Sequence, residues 1–144
     1  MKVQVLDDEH HECETQLAVL GNLLETGERT GETTMERNKL VSESLCGLLK
    51  AYESHFAHEE TLLDKYLYAE VAQDTRSGFS ADKGARTSHF ADHQAMLSKV
   101  RSLIEDLSLV DLAAIRGLQQ DFHQHATRYD GSYADRLSVA MTKA

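Results

Sequence analysis

Apolar side chains recur every three or four positions between residues 45 and 66, a spacing that predicts one long amphipathic helix. The pattern stays unbroken over three heptads only if a histidine and a glutamate inside it count as buried. These two residues are His55 and Glu59, and they stand where leucines would stabilise a core better. A helix with such a stripe buries it against other helices, which favours a helical bundle.

Three further segments carry the same helical spacing, and each has at least one histidine on its apolar face. They cover residues 6–24, 89–107 and 112–137. The chain of 144 residues has no proline, no tryptophan and only eight glycines, a composition typical of helices rather than of a many-turned β fold. We therefore predict an all-α fold, an up-down-up-down antiparallel four-helix bundle, with residues 1–144 forming a single domain.

Polar stretches separate the predicted helices. Thr33 and Glu36 have the spacing of a capping box at the start of the second helix, and Ser108 and Asp111 have N-cap spacing before the fourth. Residues 73–85 are polar and contain two glycines, so we expect a long, mobile loop there.

The formal charge of −9 argues against nucleic acid as a partner, because no basic stripe is present to displace phosphate counterions. No stretch is apolar for long enough to span a bilayer, and the first residues have no apolar signal core. We expect a cytoplasmic monomer without membrane attachment. In a reducing compartment Cys13 and Cys46 are expected to be free thiols.

The buried polar residues point to a metal site. Positions four apart lie one helical turn from each other on the same face, so the pairs His55–Glu59 and His89–His93 can each converge on one point inside a bundle. The first and fourth helices add single histidines, His10 and His125. A lone histidine on an apolar face is more often a core residue bonded to a carbonyl. Five imidazoles and a carboxylate buried together would cost several kcal/mol per unsatisfied group, and a metal removes that cost.

The type of ligand restricts the choice of metal. A structural zinc takes four ligands, and magnesium and calcium prefer oxygen. A nitrogen-rich set with carboxylates fits two octahedral iron ions, with manganese less favoured.

The combined motif resembles the hemerythrin family, including bacterial hemerythrins and hemerythrin-like HHE domains. That family has a lone His, then HxxxE, HxxxH and HxxxxD on successive helices of a four-helix bundle. This chain has "LDDEHHE" from residue 6, "HFAHEE" from 55, "HFADHQ" from 89 and "HATRYD" from 125. The matching positions, in order, are His10, His55, Glu59, His89, His93, His125 and Asp130.

The resemblance implies a diiron centre with an oxo or hydroxo bridge from solvent. His89, His93 and His125 would bind one iron, His10 and His55 the other, and two carboxylates, Glu59 and Asp130, would bridge them. Asp130 lies five residues after His125, about 140° around an ideal helix, so it reaches the site only through side-chain swing or local helix distortion. Asp121 is the alternative carboxylate. His11 is expected to face solvent, while His58 and His123 are either surface residues or neighbours of the ligands.

The resemblance also implies an oxygen pocket beside the ligands, formed here by Cys13, Phe56, Phe122 and Ala126. Cys13 and Ala126 replace larger side chains of the family, and Asp121 stands where tryptophan is common, so the pocket is expected to be wetter and more reactive. Cys13 reads either as a small buried hydrophobe or as a redox thiol, and it is the one candidate catalytic residue.

Several functions are compatible with these residues. The favoured one is reversible dioxygen binding for storage, delivery or sensing, because five neutral imidazoles and only two carboxylates give the irons few anionic donors. The alternative is a diiron oxidase or peroxidase that uses Cys13. A module that reports iron or oxygen to a protein partner through residues 73–85, and a metal-free bundle, are the other two readings.

Overall fold

The computed structural model describes residues 4–30, 34–68 and 81–143, and some side chains within these ranges, including that of Asp130, lie outside the described part. All the regular structure in these ranges is helical. The α-helices of the described ranges are α1 Gln4–Thr30, α2 Thr34–Tyr66, α3 Ala81–Glu105, α4 Leu112–His125 and α5 Gly131–Lys143. The chain therefore forms a helical bundle. A search of the described residues for membrane-spanning helices finds no candidate.

Helix α4 is capped by Asp111 and not by Ser108. The Asp111 carboxylate accepts a hydrogen bond of 2.7 Å from the amide of Ala114, as an N-cap residue does. Ser108 instead lies in a 3₁₀ turn, Leu107–Leu109, which is capped by Asp106. The predicted cap at Ser108 is wrong, because Ser108 belongs to this separate turn, where the Asp106 carboxylate accepts a hydrogen bond from the amide of Ser108. The other predicted capping residue, Thr33, lies outside the described residues.

The prediction of a loop at residues 73–85 is wrong for residues 81–85, which lie in a helix. Helix α3 already begins at Ala81, and residues 73–80 lie outside the described part of the chain. Gly84 suggested a loop, but a glycine costs a helix only about 1 kcal/mol relative to alanine. A helix of 25 residues absorbs that cost through its packing.

The last predicted helix, residues 112–137, is divided by a π-helix. Helix α4 ends at His125, the π-helix spans Ala126–Asp130, and α5 continues from Gly131. Hydrogen bonds in a π-helix span five residues rather than four, so positions five apart come onto the same side. A local helix distortion, one of the two predicted ways for Asp130 to reach the site, is thus present in the backbone.

Helix contacts form a closed ring, because α1 contacts α2 and α4, and α3 contacts the same two helices. Inside the ring lie two apolar clusters. The larger extends from Leu24 to Cys13 along α1, and the smaller contains Leu6, Leu63 and Leu137 and is covered by α5. Five polar residues are buried to the same degree as these apolar ones, namely His55, Glu59, His89, His93 and His125. These five residues form a polar layer, which lies where the two apolar clusters meet.

Candidate metal centre

Four buried side chains converge on one point in the polar layer. Each of Glu59, His89, His93 and His125 offers a ligand atom, and the four atoms all lie within 4.8 Å of one another. Helices α2, α3 and α4 supply them, so the cluster exists only when three helices are packed in register. Ligands about 2.1 Å from one octahedral ion are about 3 Å apart, which is the scale of the shortest distances within the cluster.

Glu59 has a different set of neighbours on each of its two carboxylate oxygens. Oε1 lies 2.7 Å from Nε2 of His89 and 3.1 Å from Nε2 of His93, with His125 Nε2 at 3.9 Å. Oε2 lies 3.4 Å from Nε2 of His55. One oxygen therefore faces the three-histidine group and the other faces His55. A carboxylate placed in this way has the geometry of a bridge between two ligand sets.

His10 lies on the His55 side of the centre. Its ring centroid is 6.1 Å from that of His55 and 4.5 Å from that of Phe122. His10 is more exposed than the other four histidines, with a side chain 19% accessible. The structure thus places His10 and His55 together and His89, His93 and His125 together.

A carboxylate from a neighbouring helix faces the outer nitrogen of three of these histidines. Glu60 Oε2 is 2.8 Å from Nδ1 of His93, and Asp92 Oδ2 is 2.6 Å from Nδ1 of His125. Glu9 Oε1 lies 3.4 Å from Nδ1 of His55. Such carboxylates hold the ring orientation of metal-binding histidines and make Nε2 a better donor. The inner nitrogens are therefore directed at the centre.

Two more contacts extend this outer layer. Glu14, one turn after His10 on α1, lies 3.3 Å from its Nδ1. His58 also binds Glu9, with Nδ1 3.1 Å from Oε2, so Glu9 joins His58 to the ligand candidate His55. His58 is therefore a neighbour of the site, as one of the two predicted alternatives holds, whereas His11 and His123 are exposed.

Electrostatics favour an ionised Glu59. Burial by itself would raise the pKa of Glu59, but hydrogen bonds with His125, His89 and His93 outweigh it and hold that pKa well below its usual value. Burial would likewise lower the pKa of His93, yet its bonds to Glu59 and Glu60 raise it. A metal at this point would have to displace the proton that His93 otherwise shares with two carboxylates.

Two of the other histidines are held neutral. Burial lowers the pKa of His55 and of His89, although the Glu59 charge opposes the effect in both. A neutral imidazole has one nitrogen lone pair available, and this is the form that binds a metal.

Aromatic rings form the walls beside the centre. Phe56 stacks on His93 with the ring centroids 4.1 Å apart and the planes 8° from parallel, and Phe122 packs on His10. Both phenylalanines are only 1% exposed. Of the other residues expected in the oxygen pocket, Cys13 is fully buried in the same cluster and Ala126 is partly exposed at the start of the π-helix.

The environment of Cys13 keeps its thiol neutral. Burial, reinforced by the charges of Glu9, Glu12 and Glu59, raises the pKa of Cys13 to about 12. A neutral, fully buried thiol packs as a small hydrophobe and is a poor nucleophile. The geometry thus favours the packing reading of Cys13 over the redox one.

Asp121 is engaged at the surface. Its carboxylate forms an ion pair with Lys99 at 2.6 Å and lines a cavity of about 460 Å³ between α3 and α4. The same cavity reaches His125 and the carboxylate of Asp92 that holds it. Asp121 is outside the four-residue cluster, and the side chain of the other carboxylate candidate, Asp130, lies outside the described residues.

Glu9, Glu14, Glu60 and Asp92 are the functional residues that the sequence reasoning missed. Only Glu14 had a clear sequence signal, because it follows His10 by four positions on one helix. The other three meet their histidines across helix interfaces, a relation that periodicity within one helix does not contain.

Comparison with known proteins agrees with this donor set. A family model described as the hemerythrin HHE cation binding domain matches residues 1–137. No curated protein and no solved structure matches the chain. The family match covers nearly the whole chain and names a cation-binding domain, and the buried histidine and glutamate cluster is a group of residues able to hold such a cation. The chain therefore belongs to the hemerythrin HHE cation-binding domain family.

Proposed function

We propose that this protein binds two iron ions in its core and binds dioxygen reversibly at them, for storage, delivery or sensing. Three histidines of the cluster, His89, His93 and His125, would hold one iron, and His10 and His55 the other. The two bridging carboxylates would be Glu59 and Asp130.

The observation that carries the proposal is the division of donors around Glu59. Its Oε1 faces three imidazole nitrogens within 3.9 Å, and its Oε2 faces His55 at 3.4 Å. A single ion would not need both oxygens directed at separate nitrogen sets. Five histidines also exceed the needs of one tetrahedral ion, and nitrogen donors mixed with carboxylates suit iron.

The surroundings of the centre support binding of a gas over its activation. Bound iron would supply the coordination position and the electrons for dioxygen binding. The chain itself contributes few anionic donors and aromatic walls, Phe56 and Phe122, that limit access of water. Glu60 and Asp92 would keep the imidazoles in one orientation through a cycle of binding and release.

The fold expected for this function is the up-down-up-down antiparallel four-helix bundle. Contacts along the helix pairs support it. On α1 and α2, His58 meets Glu9 whereas Gly47 lies beside Gln16, so the partners run in opposite directions. On α3 and α4, Asp92 meets His125 and Lys99 meets Asp121 in the same antiparallel sense.

An absorption spectrum of the protein loaded anaerobically with ferrous iron tests the proposal. Iron is counted per chain, and oxygen is then added and removed in cycles. We expect two irons and a visible band that comes and goes with oxygen. His93→Ala, which removes a donor from the cluster, should lose iron and the band together. A His123→Ala control, changed at an exposed histidine, should behave as the wild type does.

A diiron oxidase or peroxidase is the second candidate, and the cavity beside His125 is the observation that favours it. The cavity brings solvent to the Asp92–His125 pair, and Asp121 at its edge is polar. This function predicts irreversible conversion to a diferric spectrum on the first addition of oxygen, and turnover with peroxide or a reductant. Turnover that is unchanged in Cys13→Ala would remove the thiol from that mechanism.

A further inference from the structure

Tyr52 is a buried polar residue that the sequence reasoning counted only as part of the apolar stripe of α2. It lies three positions before His55, on the same face of the helix, and is 0% exposed. Its ring stacks on Phe122 with the centroids 5.4 Å apart and the planes 14° from parallel, and it packs on Phe56 at 5.2 Å. Tyr52 thus touches both of the aromatic rings that pack on the candidate metal ligands.

The hydroxyl group of Tyr52 has no hydrogen-bond partner among the residues that the structure describes. A buried hydroxyl without a partner is costly, and native proteins almost always satisfy such groups with protein atoms, ordered water or a ligand. The same α2 position filled by phenylalanine would keep both ring contacts without that cost. The Tyr52 hydroxyl therefore has a donor available for a ligand in the core.

The surroundings indicate where that partner would lie. Tyr52 and Cys13 belong to the same buried cluster as Phe56 and Phe122, and these two rings pack on His93 and His10 of the centre. Cys13 follows His10 by three positions on α1, as Tyr52 precedes His55 by three on α2. Both residues therefore lie one turn from the His10–His55 side of the centre, in a layer that is otherwise apolar.

We propose that the Tyr52 hydroxyl donates a hydrogen bond to a small ligand bound on the His10–His55 side of the metal centre. This inference rests on the proposed function and names the residue that holds the ligand. A single donor in an apolar pocket orients a small ligand, and it binds an acceptor that carries partial negative charge more strongly than a neutral one. Release of the ligand then requires this bond to break.

Tyr52→Phe is the variant that tests the proposal, because it removes only the oxygen and keeps the ring. Tyr68→Phe is the matched control, since Tyr68 is 4% exposed but belongs to the apolar cluster on the other side of the centre. The iron-loaded proteins are compared by stopped flow for dioxygen release, and their diferric forms by titration with azide. Each is repeated in D₂O. Thermal unfolding of the metal-free proteins is measured in parallel.

We expect release to be about tenfold faster in Tyr52→Phe than in the wild type, with azide binding weakened to a similar degree. The solvent isotope effect on release should be lost, and the midpoint of unfolding of the metal-free protein should not fall. Tyr68→Phe should leave ligand release and the isotope effect unchanged.

The proposal would be overturned if Tyr52→Phe left the rate of dioxygen release, the azide affinity and the solvent isotope effect all unchanged. A lower unfolding midpoint with an isotope effect that persists would also overturn it, because the hydroxyl would then bind a structural water. A wild-type protein that takes up two irons but binds neither dioxygen nor azide would instead overturn the proposed function, and the role of Tyr52 with it. These results differ, so the failure of each idea can be recognised.

Discussion

Replacing Glu59 with glutamine tests the central feature of the site, a carboxylate shared by two sets of histidines. Glu59 is 1% exposed and lies within 3.1 Å of two imidazole nitrogens on one oxygen. Glutamine has nearly the same shape but no charge, and only one of its two terminal atoms accepts hydrogen bonds. The amide nitrogen must then face either the three-histidine group or His55.

The expected loss of stability follows from these contacts. Hydrogen bonds to a charged group contribute about 1.5–3 kcal/mol each, and glutamine retains part of this through its remaining oxygen. We expect the metal-free Glu59→Gln protein to be less stable by about 2–4 kcal/mol at neutral pH. In a chain of this size that corresponds to a fall of about 5–15 °C in the midpoint of thermal unfolding.

The metal content provides the second measurement. We expect Glu59→Gln to bind at most one iron per chain, because one ligand set loses its shared oxygen. Glu53→Gln is the control: Glu53 is 48% exposed and its nearest cation, Arg101, is 3.6 Å away, so its stability should change by less than about 0.5 kcal/mol. Two tightly bound irons and an unchanged midpoint in Glu59→Gln would refute the reasoning.

Three further predictions concern the surroundings of the site. Asp92→Asn should weaken iron affinity by about 10–100-fold in a metal titration, whereas Asp121→Asn should not, and equal affinities would contradict the role of the outer carboxylate. Iodoacetamide at neutral pH should modify the exposed Cys46 and leave the buried Cys13 intact in the folded protein, and rapid modification of both by mass spectrometry would contradict the neutral thiol. Because burial lowers the pKa of His89 below 6.5, the unfolded chain takes up that proton first, and the contribution of His89 to the stability of the metal-free protein falls as the pH drops below 6.5. Urea unfolding at pH 7.5 and 5.5 should show a smaller fall in the free energy of unfolding for His89→Gln than for the wild type. Equal falls in the two proteins would contradict this.

The helical fold was predictable because the apolar period is strong. Residues 45–66 form one uninterrupted pattern when His55 and Glu59 are counted as buried, and both are 1% exposed in the structure. The same rule placed His89 and His93 on a buried face, where each is 0% exposed. Which positions of a helix are buried follows from the apolar period of that helix, and a single sequence contains this period.

Features that depend on two helices at once were not predictable in the same way. Asp92 and Glu60 occur next to the motifs, but their bonds to His125 and His93 depend on how α3 packs against α4 and α2. The predicted start of the fourth helix was wrong for a related reason, because Ser108 lies in a separate 3₁₀ turn and does not cap the helix. The separation of five residues after His125 predicted either side-chain swing or a local helix distortion, and the structure has a π-helix there.

The outer carboxylates have a consequence for the order in which the site is completed. Asp92 on α3 holds a histidine of α4, Glu60 on α2 holds one of α3, and Glu9 on α1 holds one of α2. Each helix thus orients a ligand of the helix that follows it in the chain. The last imidazole to be oriented is His125, near the end of the sequence. A chain that is truncated before residue 125, or still emerging during synthesis, lacks this donor, so the four-residue cluster is complete only in the fully folded protein.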